Sequence, residues 1–215
     1  MADLSLYLVT DRAMSKGCNI AWIVEEAVIG GVTMVQLREK ACSTREFINL
    51  ATQLKKILCK YNVPLIINDR ADVALASGAD GLHIGQSDMP WSMARKILGP
   101  GKIIGLSVEN IDQVRDANNM DVDYIAISPV FSTDTKTDTN TPFGLEGITR
   151  VMATTKHPAV AIGGITISNT ESIIRAGVNG VAVVSAICSA DNPRQAATDL
   201  KNKIKTMHNE ATGNR

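Results

Sequence analysis

Residues 32–68 read VTMVQLREKACSTREFINLATQLKKILCKYNVPLIIN, and this stretch decides the fold. It begins and ends with short apolar runs, at 32–37 and 64–68, that are typical of strands buried on both faces. Between them, Ser43 and Glu46 form a capping-box pattern, and apolar residues then recur at helical spacing from Phe47 to Leu58. The stretch therefore predicts a strand, a helix and a second strand, the repeating unit of parallel sheets.

The same unit recurs along the rest of the chain. Further apolar runs lie at 4–9, 81–84, 103–108, 122–128, 159–162 and 180–184, with helical patterns between them. Eight strands alternating with eight helices predict an α/β fold, the (β/α)8 TIM barrel with an all-parallel sheet. The main alternative is an open doubly wound sheet, which predicts a glycine-rich turn after the first strand. Here that turn reads Val9-Thr10-Asp11-Arg12, and no GxGxxG occurs. We therefore predict one barrel domain over 1–208 and a frayed tail at 209–215.

Composition excludes several classes of protein. Hydrophobic residues make up 45% of the 215 residues and charged residues 20%, as in globular domains. The 22 lysines and arginines balance 22 aspartates and glutamates, so no basic excess points to nucleic acid. No apolar run approaches the ~20 residues that span a bilayer, and Met1 does not open a signal peptide. The four cysteines lie far apart, which favours reduced thiols and a cytoplasmic protein.

Polar residues collect at the carboxyl ends of the predicted strands, where barrel enzymes carry out their chemistry. The second strand runs into Gln36-Leu37-Arg38-Glu39-Lys40, and a two-residue period places Gln36, Arg38 and Lys40 on one side. An amide and two cations suit an anionic ligand, since an arginine can hold phosphate oxygens bidentately. The alternative is a solvated strand end at which Arg38 and Glu39 pair on the surface.

Two aspartates follow neighbouring strands of the predicted barrel, Asp69 after the third and Asp88 after the fourth. Each alone is typical of a helix cap. Together, beside a cationic strand end, they match the one or two carboxylates that usually hold Mg²⁺, whose other ligands are water and substrate phosphate. The pair therefore predicts a magnesium site. His83, on the fourth strand, is interpreted as a satisfied core histidine.

Two later segments suit a phosphate group. The segment 132–141 is polar and long for a barrel connection, which is typical of a functional loop. Its candidate residues are Thr133, Asp134, Thr135 and Lys136. The seventh strand ends at Gly163-Gly164 and the eighth at Val184-Ser185, and the loops at these two places commonly bind phosphate in such barrels. A solvated loop and glycines needed only for a tight turn are the alternatives.

These motifs, in this order, resemble those of the thiamine-phosphate synthase family over nearly the whole chain. The most specific are QLREK at 36–40, ND at 68–69, GQSD at 85–88, TDTK at 133–136 and IGGI at 162–165. The resemblance implies a transferase that joins 4-amino-2-methyl-5-hydroxymethylpyrimidine diphosphate to hydroxyethylthiazole phosphate, or to its carboxylated form, with release of pyrophosphate by magnesium-assisted dissociative displacement. Ser132 departs from the family pattern, since many members carry proline there.

The resemblance also implies roles for individual residues, and it leaves the oligomeric state open. The pyrimidine diphosphate would be held by Gln36, Leu37, Arg38, Glu39, Lys40, Asn68, Ser107 and Lys136. The thiazole phosphate would be held by Thr133, Thr135, Gly164, Val184 and Ser185, with Asp134 also among the binding residues. Catalytic roles would fall to Arg38, Lys40, Ser107 and Lys136, and the cofactor Mg²⁺ to Asp69 and Asp88.

Three other functions stay open on the sequence. A sugar-phosphate isomerase or an aldolase on this fold needs a glutamate base or a Schiff-base lysine at a strand end, and the sixth predicted strand supplies neither. A thiazole tautomerase binds the thiazole phosphate without coupling it, so the cationic strand end and the paired aspartates argue against it. A barrel that only senses thiamine precursors would leave the aspartate pair and the loop lysine unexplained.

Overall fold

Eight parallel strands close into a barrel in sequence order, with β8 bonded to β1. The structure is a computed structural model that describes residues 2–132 and 141–213, with side chains as far as Met207. The strands are β1 (Leu6–Val9), β2 (Met34–Leu37), β3 (Leu65–Asn68), β4 (Gly81–Ile84), β5 (Ile103–Val108), β6 (Tyr124–Ile127), β7 (Ala159–Ile162) and β8 (Gly180–Val183). The predicted barrel is confirmed, although several strands are shorter than the apolar runs that predicted them.

Helices follow the strands on the outside of the barrel. They are α1 (Ile20–Ile29), α2 (Thr44–Cys59), α3 (Ala71–Ser77), α4 (Trp91–Leu98), α5 (Ile111–Ala117), α6 (Gly144–Thr154), α7 (Thr170–Arg175), α8 (Ser185–Cys188) and α9 (Pro193–Gly213). The capping box forms at the start of α2, where Ser43 Oγ accepts from the Glu46 N–H and the Glu46 side chain accepts from the Ser43 N–H. Two short elements were not predicted, a 3-10 turn at Ala13–Ser15 and the helix α8.

Successive side chains of each strand point to opposite faces of the sheet, and this divides the core into two layers. One set of side chains packs between the barrel and the helices, and the other fills the barrel interior. The interior set includes Tyr7, Met34, Ile66, Tyr124 and Val160. Nearer the carboxyl ends of β6 and β8 the interior residues are small alanines, and this leaves space at that end of the barrel.

The last helix completes the outer ring by packing against the first. α9 contacts both α1 and α7, and Arg194 on α9 pairs with Glu26 on α1, with 2.8 Å between Nη2 and Oε1. Helix α9 continues to Gly213, so the segment predicted to fray begins as helical backbone. No helix within the described ranges is long and apolar enough to cross a bilayer.

Candidate active site

A cavity of about 450 Å³ opens at the carboxyl ends of the strands. Its volume is ordinary for a small-molecule site, and every strand of the barrel contributes to its wall. Among the residues predicted from the sequence, those that line it are Gln36, Arg38, Lys40, Asn68, Asp69, Asp88, Ser107, Gly164, Val184 and Ser185. The predicted loop residues Thr133, Asp134, Thr135 and Lys136 lie outside the described residues.

Leu37 and Glu39 do not line the cavity, although the resemblance placed both in the substrate site. Leu37 is fully buried in the layer between the barrel and the helices. Glu39 forms a two-pronged ion pair with Arg12, with 2.8 Å between Oε1 and Nη2. The two-residue period explains both positions, because it turns 37 and 39 away from the side that carries Arg38. The surface pair of Arg38 with Glu39 is therefore not the arrangement found.

The end of β1 holds Arg38 at the cavity wall. Arg38 Nη1 lies 2.7 Å from Asp11 Oδ2, and the Arg38 backbone N–H donates to the buried Thr10 hydroxyl oxygen at 3.1 Å. Asp11 Oδ1 accepts from the N–H groups of Ala13 and Met14, so the 3-10 turn fixes this carboxylate. A guanidinium held from behind in this way keeps its remaining donors for an anion in the cavity. The roles of Thr10 and Asp11 were not predicted from the sequence.

Asp69 and Asp88 both line the cavity, close enough for the charge of Asp69 to act on the Asp88 carboxyl. Asp69 adopts a left-handed backbone conformation, φ 63°, and its Oδ2 accepts from Lys40 Nζ at 2.7 Å. Asp88 Oδ2 accepts from the Gly85 N–H at 2.7 Å. Burial raises the pKa of Asp88, and the neighbouring Asp69 carboxylate adds to that rise, whereas the Gly85 N–H and Lys40 lower it.

The aspartate pair fits a hard divalent cation. Neither residue caps a helix, because α3 begins after Arg70 and α4 after Pro90. The described ranges contain no group of three or more His, Cys, Asp or Glu that could form a complete metal site from the protein alone. Two adjacent carboxylates are the donor set that Mg²⁺ takes when phosphate and water supply its other ligands.

The polar residues inside the barrel form a continuous chain of hydrogen bonds that reaches the cavity. His83 has both ring nitrogens bonded, Nδ1 to the Tyr124 hydroxyl and Nε2 to Ser107 Oγ, each at 2.9 Å. This agrees with its interpretation as a satisfied histidine, but His83 also lines the cavity. Tyr7 bonds the Tyr124 hydroxyl at 2.9 Å and accepts from Gln36 Nε2 at 2.8 Å. Tyr7 was missed because a continuous apolar run does not reveal which residues face the barrel interior.

The opposite wall is built by the ends of β7 and β8. Gly164 has φ 65°, and a Cβ atom there would lie 2.8 Å from both Phe131 Cβ and Ser132 O. Glycine is therefore required for the turn itself, and Gly164 also lines the cavity together with Val184 and Ser185. The two explanations of this glycine, a tight turn and a place at the site, both apply.

Glu109 and Gln86 also line the cavity, although neither was predicted from the sequence to belong to the substrate site. Gln86 Nε2 donates to the Ser107 carbonyl at 2.6 Å, and Glu109 follows directly after β5. The position of Glu109 after a strand end was a usable signal. Gln86 lay within the GQSD motif, whose aspartate alone was assigned.

The chain is similar over its length to enzymes of thiamine biosynthesis. A sequence model of the family described as thiamine monophosphate synthase matches residues 6–187. A thiamine-phosphate synthase of Albidiferax ferrireducens is 51% identical over 204 residues, covering 95% of this chain and 93% of that protein. One from Vibrio parahaemolyticus is 52% identical over 195 residues, covering 91% and 95%.

Solved structures agree with these relatives. The thiamine phosphate pyrophosphorylase of Pyrococcus furiosus superposes with a TM-score of 0.88 at 35% identity, covering 96% of this chain and 98% of that one. An orotidine 5'-phosphate decarboxylase from Pyrococcus horikoshii reaches a TM-score of 0.68 at 16% identity, covering 93% and 99%. That second likeness concerns the barrel fold alone.

Proposed function

The chain belongs to the thiamine monophosphate synthase family, and we propose that its reaction joins an aminopyrimidine diphosphate to a thiazole phosphate with release of pyrophosphate. The similarities establish a transferase of thiamine biosynthesis. The substrates we assign are 4-amino-2-methyl-5-hydroxymethylpyrimidine diphosphate and hydroxyethylthiazole phosphate, or the carboxylated form of the latter.

One observation carries this assignment: a single cavity has two walls suited to anions. Arg38 and Lys40 line it on the side of β2 and β3, next to Asp69. Gly164 and Ser185 line it at the ends of β7 and β8, which lie across the closed barrel. Two phosphorylated substrates anchored on facing walls would meet in the middle with their reacting atoms aligned.

We assign the diphosphate to the wall that carries the aspartate pair. Mg²⁺ held by Asp69 and Asp88 would supply charge neutralisation to the diphosphate. The chain's own cations act at the same place: Arg38, held by Asp11, offers its remaining donors to phosphate oxygens, and Lys40 lies within reach of Asp69. Lys136 lies outside the described residues, and we assign it to stabilising the leaving group as well.

The proposed displacement is dissociative, and the protein needs no strong base for it. The 4-amino group can stabilise positive charge at the exocyclic methylene of the pyrimidine as the pyrophosphate leaves. Gln36, Asn68 and Ser107 would hold the pyrimidine ring, and the wall of Gly164, Val184 and Ser185 would hold the thiazole phosphate. Catalysis then comes from positioning and from electrostatic stabilisation of the leaving group.

We place the enzyme in the cytoplasm. Cys18, Cys42, Cys59 and Cys188 are all free thiols in the described part of the chain, as expected for a reducing compartment.

The test is a coupling assay with the purified protein. Both phosphorylated substrates and Mg²⁺ are supplied, and thiamine phosphate and pyrophosphate are measured, with the thiazole supplied in both forms and omitted in a control. Arg38→Met should lower kcat/KM by about 10²–10³. Arg12→Met, which removes an arginine outside the cavity wall, should leave it near the starting value. If thiamine phosphate forms with neither form of the thiazole, the proposed function is refuted.

A further inference from the structure

Five side chains from five strands are joined in one chain of hydrogen bonds across the barrel interior. Gln36 Nε2 donates to the Tyr7 hydroxyl at 2.8 Å, and the Tyr7 hydroxyl bonds that of Tyr124 at 2.9 Å. The Tyr124 hydroxyl bonds His83 Nδ1, and His83 Nε2 bonds Ser107 Oγ, each at 2.9 Å. Gln36 and Ser107 form the two ends, and both line the cavity.

The middle of this hydrogen-bond chain is buried and closely packed. Tyr7 and Tyr124 are each 1% exposed, and their rings meet edge to face with centroids 5.9 Å apart. The Tyr124 ring stacks on His83 at 5.6 Å. A Cβ atom at Gly105 would overlap the Tyr124 ring and His83 Nδ1, so a glycine on β5 is what allows these two groups to meet.

The number of available hydrogen atoms determines which group donates and which accepts at each step of this hydrogen-bond chain. Three contacts separate Gln36 Nε2 from His83 Nδ1, and each takes one hydrogen. The Gln36 amide and the two tyrosine hydroxyls supply those three, and burial raises the pKa of both tyrosines, so both stay protonated at neutral pH. His83 Nδ1 must therefore accept. The imidazole then carries its hydrogen on Nε2 and donates it to Ser107 Oγ.

The two ends of the hydrogen-bond chain consequently differ: Gln36 offers an acceptor and Ser107 offers a donor. Gln36 has given an N–H to Tyr7, so Oε1, an acceptor, is the other end of its amide. Ser107 Oγ already accepts from His83, which leaves its hydroxyl hydrogen to donate.

We propose that the chain Tyr7–Tyr124–His83 selects the pyrimidine substrate by fixing Gln36 as an acceptor and Ser107 as a donor. An aminopyrimidine offers the matching pattern, an amino donor at one edge of the ring and a ring-nitrogen acceptor at another. Its 4-oxo analogue puts an acceptor where the amino group stood and meets Gln36 Oε1 with a second acceptor. Tyr7, Tyr124 and His83 act here as positioning residues. The identity of the substrate rests on the proposed function, whereas the donor and acceptor roles along the hydrogen-bond chain do not.

The selection is tested with the 4-amino pyrimidine diphosphate and its 4-oxo analogue as competing substrates. Tyr124→Phe removes the middle hydroxyl and keeps the ring, and Tyr7→Phe frees the Gln36 amide. Either should narrow the kcat/KM preference for the amino substrate by about tenfold, the value of one buried hydrogen bond, mainly through KM for the pyrimidine. KM for the thiazole phosphate should stay unchanged. Tyr61→Phe, which removes an exposed hydroxyl outside the barrel, is the matched control.

An unchanged preference in both tyrosine variants would overturn the proposal. Equal increases in KM for both substrates would overturn it as well, since they would show general damage to the cavity.

A second measurement reads the direction of the chain without turnover. The ¹⁵N shifts of labelled histidine, with the His83 signal assigned by its loss in His83→Gln, should show a neutral ring protonated at Nε2. In Tyr124→Phe the two tautomers should become mixed. A wild-type ring protonated at Nδ1 would overturn the proposal even in an active enzyme. An Nε2-protonated ring in a protein that makes no thiamine phosphate would instead refute the proposed function and leave the direction intact.

Discussion

Replacing Asp69 with asparagine tests separately how much stability the aspartate pair costs and how much it contributes to turnover. The substitution keeps the shape of the side chain and suits the left-handed backbone at this position, φ 63°, which asparagine tolerates. It removes one of two adjacent negative charges and the ion pair with Lys40. It also removes one of the two carboxylates assigned to Mg²⁺.

The magnitude follows from the surroundings of the pair. Two like charges ~4 Å apart repel by about 1 kcal/mol in water and about 4 kcal/mol at an effective dielectric constant of 20. The Asp69 side chain is 24% exposed, so we take a value near the lower end, about 2 kcal/mol. Loss of the ion pair with Lys40, whose side chain is 55% exposed, reduces this gain in stability by about 0–1 kcal/mol. Without added Mg²⁺, Asp69→Asn should therefore be more stable by about 1 kcal/mol, a Tm higher by about 2–4 °C.

The same variant should lose turnover. Removing a carboxylate from the cation site costs several kcal/mol of leaving-group stabilisation, so kcat/KM should fall by about 10²–10³. Calorimetry without Mg²⁺ and the coupling assay with it are run on one preparation, and Asp191→Asn, at a fully exposed aspartate, is the control. A variant with a lowered Tm and unchanged turnover would refute the reasoning on both counts.

Three further predictions concern protonation, thiols and backbone. Because its pKa is raised in the folded protein, Asp88 stabilises the fold most at low pH, and that contribution is lost as pH rises through the folded pKa. The Tm of Asp88→Asn minus that of the wild type should thus become more positive between pH 4 and 7, and a flat difference would contradict this. Burial raises the pKa of the Cys188 thiol to about 11, so iodoacetamide at pH 8 should alkylate the exposed Cys18 and Cys59 first by mass spectrometry; early modification of Cys188 would count against it. Gly164→Ala should cost at least about 1–2 kcal/mol, since alanine is strained at φ 65° and its Cβ would lie 2.8 Å from Phe131 Cβ and Ser132 O, and an unchanged Tm would show that the turn relaxes.

The fold was predictable because every unit of the chain repeats the same signals. Short apolar runs and the capping box at Ser43 appear where the structure places strands and the start of α2. The two elements that were missed, Ala13–Ser15 and α8, are each a single turn, too short for a periodic pattern to form.

The site was predictable only where polar residues mark strand ends. Arg38 and the aspartate pair were found in this way. Gln36, Arg38 and Lys40 all line the cavity, as the two-residue period of a strand predicted. Tyr7 and Tyr124 were not found, because their polarity is a single hydroxyl within an apolar run. Thr10 and Asp11 act through Arg38, a partner 28 or 27 positions away, and the pairing of β1 with β2 brings these residues together.

The closure of the barrel at β1 and β8 has a consequence for how the chain is made. β1 lies at residues 6–9, yet one of its two neighbours, β8, lies at residues 180–183, and α9, which packs against α1 and β1, follows β8 in the sequence. Until β8 has been made, β1 keeps an open sheet edge, the kind of surface that pairs with other chains. The barrel can therefore close only once residues 180–183 have been made, and the nascent chain depends on protection of that edge until then.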